Sequence, residues 1–425
     1  MAGYFGSSMC RTWVTEEEDD EDDFYLIVDD NDLEVLESFE LENAGPSRRR
    51  HRSNGPPKQI RQRDHAVGDT RIHADYFGPN LVYSAFQFRR RFRMRVHVFE
   101  HLVEAIEGAE SYFKQKEDAI GCLGLNGLQK AVAAIRILPY GLPANVVDEY
   151  VRIGESTACK ALHHFCRAII FVFGEYYLRA PNAQDVARLL RIGEQCGFPG
   201  MLGSIDCMHW EWRNCTSAYK GMFTRRGKHP SMILEAVASH DLWIWHAYFG
   251  MPGSCNDINV LQKSHVFSAY LKGQAAPVSF TVNGHTYDMC YYLADGIYPN
   301  WSAFVKTVSH PVDTKAAHFA KERTFGVLQS RWAIVRGPAY GWNCEQIRDI
   351  MIACIIMHNM IIEDEGKLAK NTNYNNVGIP ATPYQTITQE RVEYINKHHK
   401  LKNTAIHSQL QMDLIEYQLM LHGSS

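Results

Sequence analysis

Three acids stand out by their company: Asp206 in GSIDCMHW (203–210), Asp295 in LADGIY (293–298) and Glu322 in KERTFG (321–326). The first two sit at the ends of short apolar runs of strand character, and the third lies in a later stretch of helical character. Carboxylates brought together repel one another, and cations placed between them are the cheapest way to keep all of them ionised. Acids of this kind, in this order, point to metal-dependent phosphoryl chemistry.

Such a trio needs elements that bring residues more than a hundred positions apart into one place. The pattern predicts strands over 202–212, 232–239, 242–249, 290–294 and 304–308, with a turn at His240 and Asp241 between the second and third. Helices are expected over 257–267, 315–331 and 345–363. Three consecutive strands, a helix, two more strands and flanking helices make an α/β layer in which the first and fourth strands can lie side by side. That adjacency sets Asp206 next to Asp295.

Residues 66–182 read as helical instead. FQFRRRFRMR (86–95) alternates aromatic residues with five arginines, which either cover a core with their stems or touch phosphates. A helix over 128–138 is broken by Gly141 and Pro143, and a short helix from 145 to 150 ends at Ile153 and Gly154. Ser156 then stands where an N-cap belongs, with Ala158, Leu162, Phe165 and Ile169 on one face and Lys160, His163, His164 and Arg167 turned to solvent. The arrangement resembles a helix-turn-helix, and an ordinary helical hairpin fits it equally well.

Charge is unevenly distributed. Residues 1–45 carry fifteen acids and one base, a charge of −14, so against the total of −4 the rest of the chain carries +10. A basic body suits a polyanion such as DNA. Residues 1–65 read as a disordered tail, acidic from 16 to 23 and basic from 48 to 52, where the cluster has the look of a nuclear-import signal. Apolar residues at Phe24, Tyr25, Leu26, Ile27, Val28, Leu33, Val35 and Leu36 also suit a partner-binding helix. Eleven cysteines without a Cys-x-x-Cys pair indicate reduced thiols, as in cytosol or nucleus. No apolar run reaches the roughly 18 residues of a membrane span, so no membrane association is expected.

Five ordered motifs, GMLGSIDCMHW (200–210), PGSCNDINVL (252–261), YLADGIYP (292–299), ERTFGVLQ (322–329) and MHNMI (357–361), resemble those of the PIF/Harbinger transposases of the Ping and Pong type and the nucleases derived from them. The resemblance runs from about residue 70 to 366. It implies an RNase H-like core, a mixed five-stranded sheet with flanking helices, over 183–366, preceded by the helical domain 66–182 and followed by a C-terminal tail, 367–425, with a possible helix. It further implies a DDE site dependent on Mg²⁺ or Mn²⁺, in which Asp206, Asp295 and Glu322 are catalytic, and cut-and-paste DNA transposition in the nucleus with a Myb/SANT-like accessory protein. The family also has an acid in the PGS motif, here Asp257, 51 residues after Asp206 and 38 before Asp295, with Glu322 a further 27 on. For Asp257 a metal-ligand role and a helix N-cap role stand open side by side.

Oxygen donors suit Mg²⁺ or Mn²⁺ better than zinc, and paired-end chemistry favours a dimer or larger assembly. One departure concerns activity. The family's charged helical approach to the glutamate is shorter here by about nine residues, or two and a half turns. A metal-dependent DNA endonuclease and strand transferase is therefore expected, with a non-cleaving DNA- or protein-binding derivative as the alternative.

Four further features read more plainly. Cys207, His209 and Cys215 match no tight zinc spacing. Arg225, Arg226, Lys228 and His229 form a basic turn, suited to phosphates or to solvent. Trp243 and Trp245 read as core residues of a strand, and His358 and Asn359 as a satisfied polar pair inside an apolar helix.

Overall fold

In a computed structural model the chain is described over residues 63–117, 121–225, 228–306, 324–370 and 387–422. The acidic and basic runs of the first 62 residues, Arg226 and Glu322 lie outside these.

Five strands form one mixed sheet: β1 (Met201–Glu211), β2 (Ser231–Ala238), β3 (Ile244–Pro252), β6 (Tyr291–Ala294) and β7 (Phe304–Lys306), in the order β3-β2-β1-β6-β7. β1, β2 and β3 pair antiparallel, whereas β6 pairs parallel with β1 and β7 parallel with β6. Every residue of β2 is buried, as a strand covered on both faces must be. The expected turn at 240–241 extends further than its sequence indicates. Leu242 adopts a left-handed backbone (φ 67°) and Ser239 N–H bonds to Trp243 O at 3.0 Å, so β3 starts only at Ile244.

One hairpin lies beyond the expected strands: β4 (Phe280–Val282) and β5 (His285–Tyr287), closed by Asn283 and Gly284, both with positive φ. Asn-Gly between alternating residues is the strongest short hairpin signal a sequence carries.

The helical part consists of α1 (His65–Ile72), α2 (Ala85–Phe92), α3 (Val96–Ala109), α4 (Gly127–Tyr140), α5 (Glu155–Tyr177) and α6 (Ala183–Gln195). Ser84 with Gln87, Asn126 with Gln129 and Asn182 with Asp185 form capping boxes that fix three of the starts. One apolar core runs from Ile72 through α1 to α5 to Trp210 and Leu234 of the sheet, and to Met351 and Ile361 of α7 (Cys344–Lys370). Helices and sheet thus share this interior, which draws residues from both before and after position 182.

Four of the five arginines of 86–95 meet carboxylates or rings within the fold. Arg89 pairs with Glu365 at 2.7 Å and Arg95 with Asp364 at 3.5 Å, while Arg91 covers the Tyr83 ring at 3.8 Å. Phe88 and Phe92 stack beneath them at 4.1 Å. The solvent face expected on α5 is corrected in the same way. Gly154, not Ser156, is its N-cap; Lys160, His163 and His164 are half-buried, and of the four only Arg167 is exposed. The reason is non-local: α5 packs on α4 on one side and on α7 on another, and His164 stacks on Tyr112 at 4.0 Å.

Within 367–425, where a tail with a helix is expected, two further helices, α8 (Ile387–Leu401) and α9 (Thr404–His422), complete the chain's described part. Leu410 and Leu414 of α9 pack with Met201, Tyr291, Leu293 and Val305, and His407 Nδ1 lies 2.9 Å from Phe304 O. Asp413 meets His285 and Tyr287, joining the hairpin to the same helix. The β6–β7 edge is thereby buttressed.

The His358–Asn359 pair on α7 is fully buried and satisfied, as expected. Asn359 accepts from Ile244 N–H at 2.9 Å and donates to Ile244 O at 2.7 Å and Tyr177 O at 2.8 Å. His358 Nε2 bonds to Leu242 O at 2.9 Å, which makes Nε2 the protonated nitrogen and leaves Nδ1 to accept from Arg331 at 3.2 Å. Burial, and then the Arg331 guanidinium, lower the His358 pKa to about 3. The unfolded chain takes up this proton below about pH 6.5, so stability is full above that value and falls as pH drops towards the folded value, by about 1.4 kcal/mol per pH unit. His163, lowered to about 4 mainly by burial, adds to the slope. The urea midpoint is therefore expected to be lower at pH 5 than at pH 7, and the drop to be smaller in His358→Gln; equal midpoints in the parent would contradict this.

Candidate metal and phosphodiester site

β1 is the central strand, and its register places the acids. Ser204 pairs with Leu293 in the parallel ladder; Asp206 follows two residues further along β1, and Asp295 two residues further along the neighbouring segment, one past the end of β6. Both carboxylates are half-buried. Asp206 Oδ1 accepts from Cys207 N–H at 2.7 Å, and Asp295 Oδ1 from Ile297 N–H at 3.1 Å, which orients each acid from its own chain. The expected side-by-side placement of the first and fourth predicted strands is present in β1 and β6.

The third acid, Glu322, lies outside the described residues. Just beyond it, 324–331 is helical, with Leu328 and then Trp332 fully buried, and Gln329 Nε2 is 3.9 Å from Met208 Sδ. Met208 is two residues after Asp206 and shares its face, so this helix crosses the sheet on the side where the acids lie. Arg331 anchors it through Glu365 at 2.7 Å and His358.

Asp257 is placed differently from Asp206 and Asp295. Asn256 caps the helix Asp257–Lys263, its side chain accepting from Asn259 N–H at 2.9 Å, and Asp257 is the first helical residue, not the cap. Leu261 of that helix packs with Ile205, Val237, Ala294 and Tyr298, the opposite face of the sheet from Asp206. There the Asp257 charge acts on Tyr298, Cys207 and His209. The helix expected to reach 267 stops at Lys263, where Ser264 turns extended and its hydroxyl meets His246 Nε2 at 2.9 Å.

Beside that apolar cluster the back face also carries polar groups. Tyr298 OH lies 3.5 Å from Cys207 Sγ, and burial pushes both groups up. Glu235, fully buried on β2 opposite Cys207, has His246 Nε2 at 3.4 Å. His209 faces Ser231 Oγ at 3.2 Å and Cys215 the carbonyl of Thr216, so the three zinc candidates look to separate partners. Among the described residues no three His, Cys, Asp or Glu side chains form a metal-holding group.

Two hard oxygen donors at adjacent strands, with no thiolate between them, fit a divalent cation of the Mg²⁺ or Mn²⁺ type. Sequence reading missed the indoles that hold β1 beyond the acids. Trp210 and Trp212 donate to Gly337 O and Gly341 O, each at 2.7 Å, and Asn214 to Tyr340 O at 2.7 Å. The alternation of Trp210 and Trp212 with polar residues, open to reading as a strand face, was their signal.

β1 also needs a glycine. A Cβ on Gly203 would be driven into Ala238 O and lie 3.0 Å from its carbonyl carbon. Gly203→Ala is expected to push β1 from β2 three residues before Asp206, costing about 1–3 kcal/mol. A urea midpoint within error of the parent would show that the strands give way freely.

The family model of the plant transposon proteins matches residues 175–369, and a domain of unknown function matches 68–107. Among curated proteins, "Protein ALP1-like" of Arabidopsis thaliana is 25% identical over 264 residues, 57% of this chain and 62% of that protein. "Putative nuclease HARBI1" of Bos taurus and of Homo sapiens is 26% identical over 171 residues, 39% of this chain and 47% of each. The alignments thus span about half to three-fifths of these relatives' lengths. No solved structure matches significantly. These matches agree with the resemblance carried by the five motifs.

Proposed function

We propose that this chain, whose residues 175–369 match the plant transposon proteins and which is of Harbinger type, is a metal-dependent DNA nuclease and strand transferase. The observation that carries the reading is the parallel pairing of Ser204 on β1 with Leu293 on β6, each two residues before one of the acids, Asp206 and Asp295. In this reading the sheet, with its order β3-β2-β1-β6-β7, is an RNase H-like core, and Asp206, Asp295 and Glu322 hold Mg²⁺ or Mn²⁺. Asp257, on the opposite face, is left outside the ligand set.

When bound, the cation supplies Lewis-acid activation of an attacking water or 3′-hydroxyl and stabilises the leaving oxygen. The chain's own part is orientation. The Cys207 and Ile297 N–H groups turn one carboxylate oxygen each, and the helix over 324–331, held by Arg331, covers the site from the side where Gln329 meets Met208. Arg225 and Lys228, beside His209, are the cations proposed to meet phosphates. No covalent protein intermediate is required, so no serine or cysteine is assigned as nucleophile. A Myb/SANT-like partner, nuclear action on transposon ends and target DNA, and a dimeric or larger assembly complete the proposal.

The test is nicking of a labelled duplex by the purified chain. Products are expected with Mg²⁺ or Mn²⁺ and none in EDTA; cleavage undiminished by EDTA would sink the reading. The shortened approach to Glu322 favours a second reading, a derivative that binds DNA or protein without cutting. A folded chain that binds DNA and leaves it intact under both metals would support that one.

A further inference from the structure

We infer that Tyr298 is a positioning residue for the Asp206–Asp295 pair, fixing both acids from the opposite face of the sheet. The inference rests on the function proposed above, since it concerns how that site is held.

The β1–β6 ladder ends at Ser204 and Leu293, and β6 itself ends at Ala294. Asp295 therefore lies past the last ladder pair, in a turn. That turn is closed by its own bonds, Ile297 N–H to Asp295 Oδ1 at 3.1 Å and Tyr298 N–H to Asp295 O at 3.4 Å. Bonds within a turn set its shape and leave its distance from a neighbouring strand open. Tyr298 supplies the missing constraint. Its side chain is 1% exposed, packs on Phe304 with ring centroids 5.4 Å apart, and lies in the cluster of Ile205, Val237 and Ala294. Its hydroxyl reaches Cys207 Sγ at 3.5 Å.

Cys207 is well chosen for this role. Its side chain points to the face opposite Asp206, and its N–H is the donor to Asp206 Oδ1 at 2.7 Å. A single tyrosine thus bonds the backbone of one acid and grips the residue that orients the other. Metal affinity responds to such outer contacts, typically by 10–100-fold, because a ligand that wanders must be ordered when the cation binds.

The experiment is Mn²⁺ binding to the full chain followed by electron paramagnetic resonance, with melting temperature measured on each sample. Tyr298→Phe, which keeps the ring and removes the hydroxyl, is expected to weaken Mn²⁺ binding about tenfold with little change in melting temperature. Cys207→Ala should weaken it similarly, the double variant no further than either single one, and Cys207→Ser, which keeps a hydrogen-bonding atom, should retain most of the affinity. Parental Mn²⁺ affinity in Tyr298→Phe, or weakening that adds in the double variant, overturns the inference while leaving the metal site standing. A parent that binds no Mn²⁺, or binds it equally well as Asp206→Ala, overturns the proposed site and this inference with it.

Discussion

Asp206→Ala should abolish metal-dependent cleavage, by at least about a thousandfold, and leave the melting temperature nearly unchanged. The expectation of a large loss comes from position. Asp206 stands on the central strand of the sheet, between β2 and β6, and its carboxylate is oriented by the N–H of Cys207. The expectation of an intact fold comes from burial, because the carboxylate is half-exposed and the apolar residues around it remain. In the proposed site, removing one charge of the acid pair relieves repulsion in the metal-free protein, so stability is expected to hold or rise slightly. Nicking by Asp206→Ala at the parental rate, in matched Mg²⁺, would remove the site from Asp206 altogether.

The largest expected effect on stability belongs to Asn359. One side chain serves three buried backbone groups, Ile244 N–H, Ile244 O and Tyr177 O, and so ties α7 to the first residue of β3 and to the end of α5. Asn359→Leu fills the volume and satisfies none of them. Each orphaned buried group costs about 1–3 kcal/mol, so a loss on the order of 3–5 kcal/mol is expected. At the roughly 2–4 °C per kcal/mol of a domain of this size, the melting temperature should fall by about 6–20 °C. A decrease of a degree or two would mean that water or a shift of α7 satisfies these groups instead.

The acids were legible because their signals are local and their geometry comes from strand order. Asp206 and Asp295 each close an apolar run, and once β1 and β6 pair in parallel each acid comes two residues after the Ser204–Leu293 pair. The polar pair on α7 was legible for the same kind of reason: two polar residues inside an apolar helix must find partners. Asp257 shows where local reasoning ends. Asn256 and Asp257 are both good caps, and it is Asn256 that has the extended backbone and the side-chain bond of the cap. Which face of the sheet the helix covers is decided by Leu261 meeting Ile205 and Tyr298, contacts between residues far apart in sequence.

The face of α5 escapes sequence reading for a similar cause. Its apolar stripe is broad because α7, nearly two hundred residues later, packs on a side that α4 leaves free. The Asn283-Gly284 hairpin carries a sufficient signal of its own. Its role does not, since the partner that gives it one, Asp413 of α9, lies well over a hundred residues away.

The central claim is that Asp206 and Asp295, on one face, make the metal centre, and that Asp257, on the other, does not. The measurement that tests it most directly is Mn²⁺ binding to the full chain and to Asp206→Ala, Asp295→Ala and Asp257→Ala. Binding lost in the first two variants and kept in Asp257→Ala is the predicted result. Binding that survives Asp295→Ala, or disappears in a folded Asp257→Ala, would contradict it.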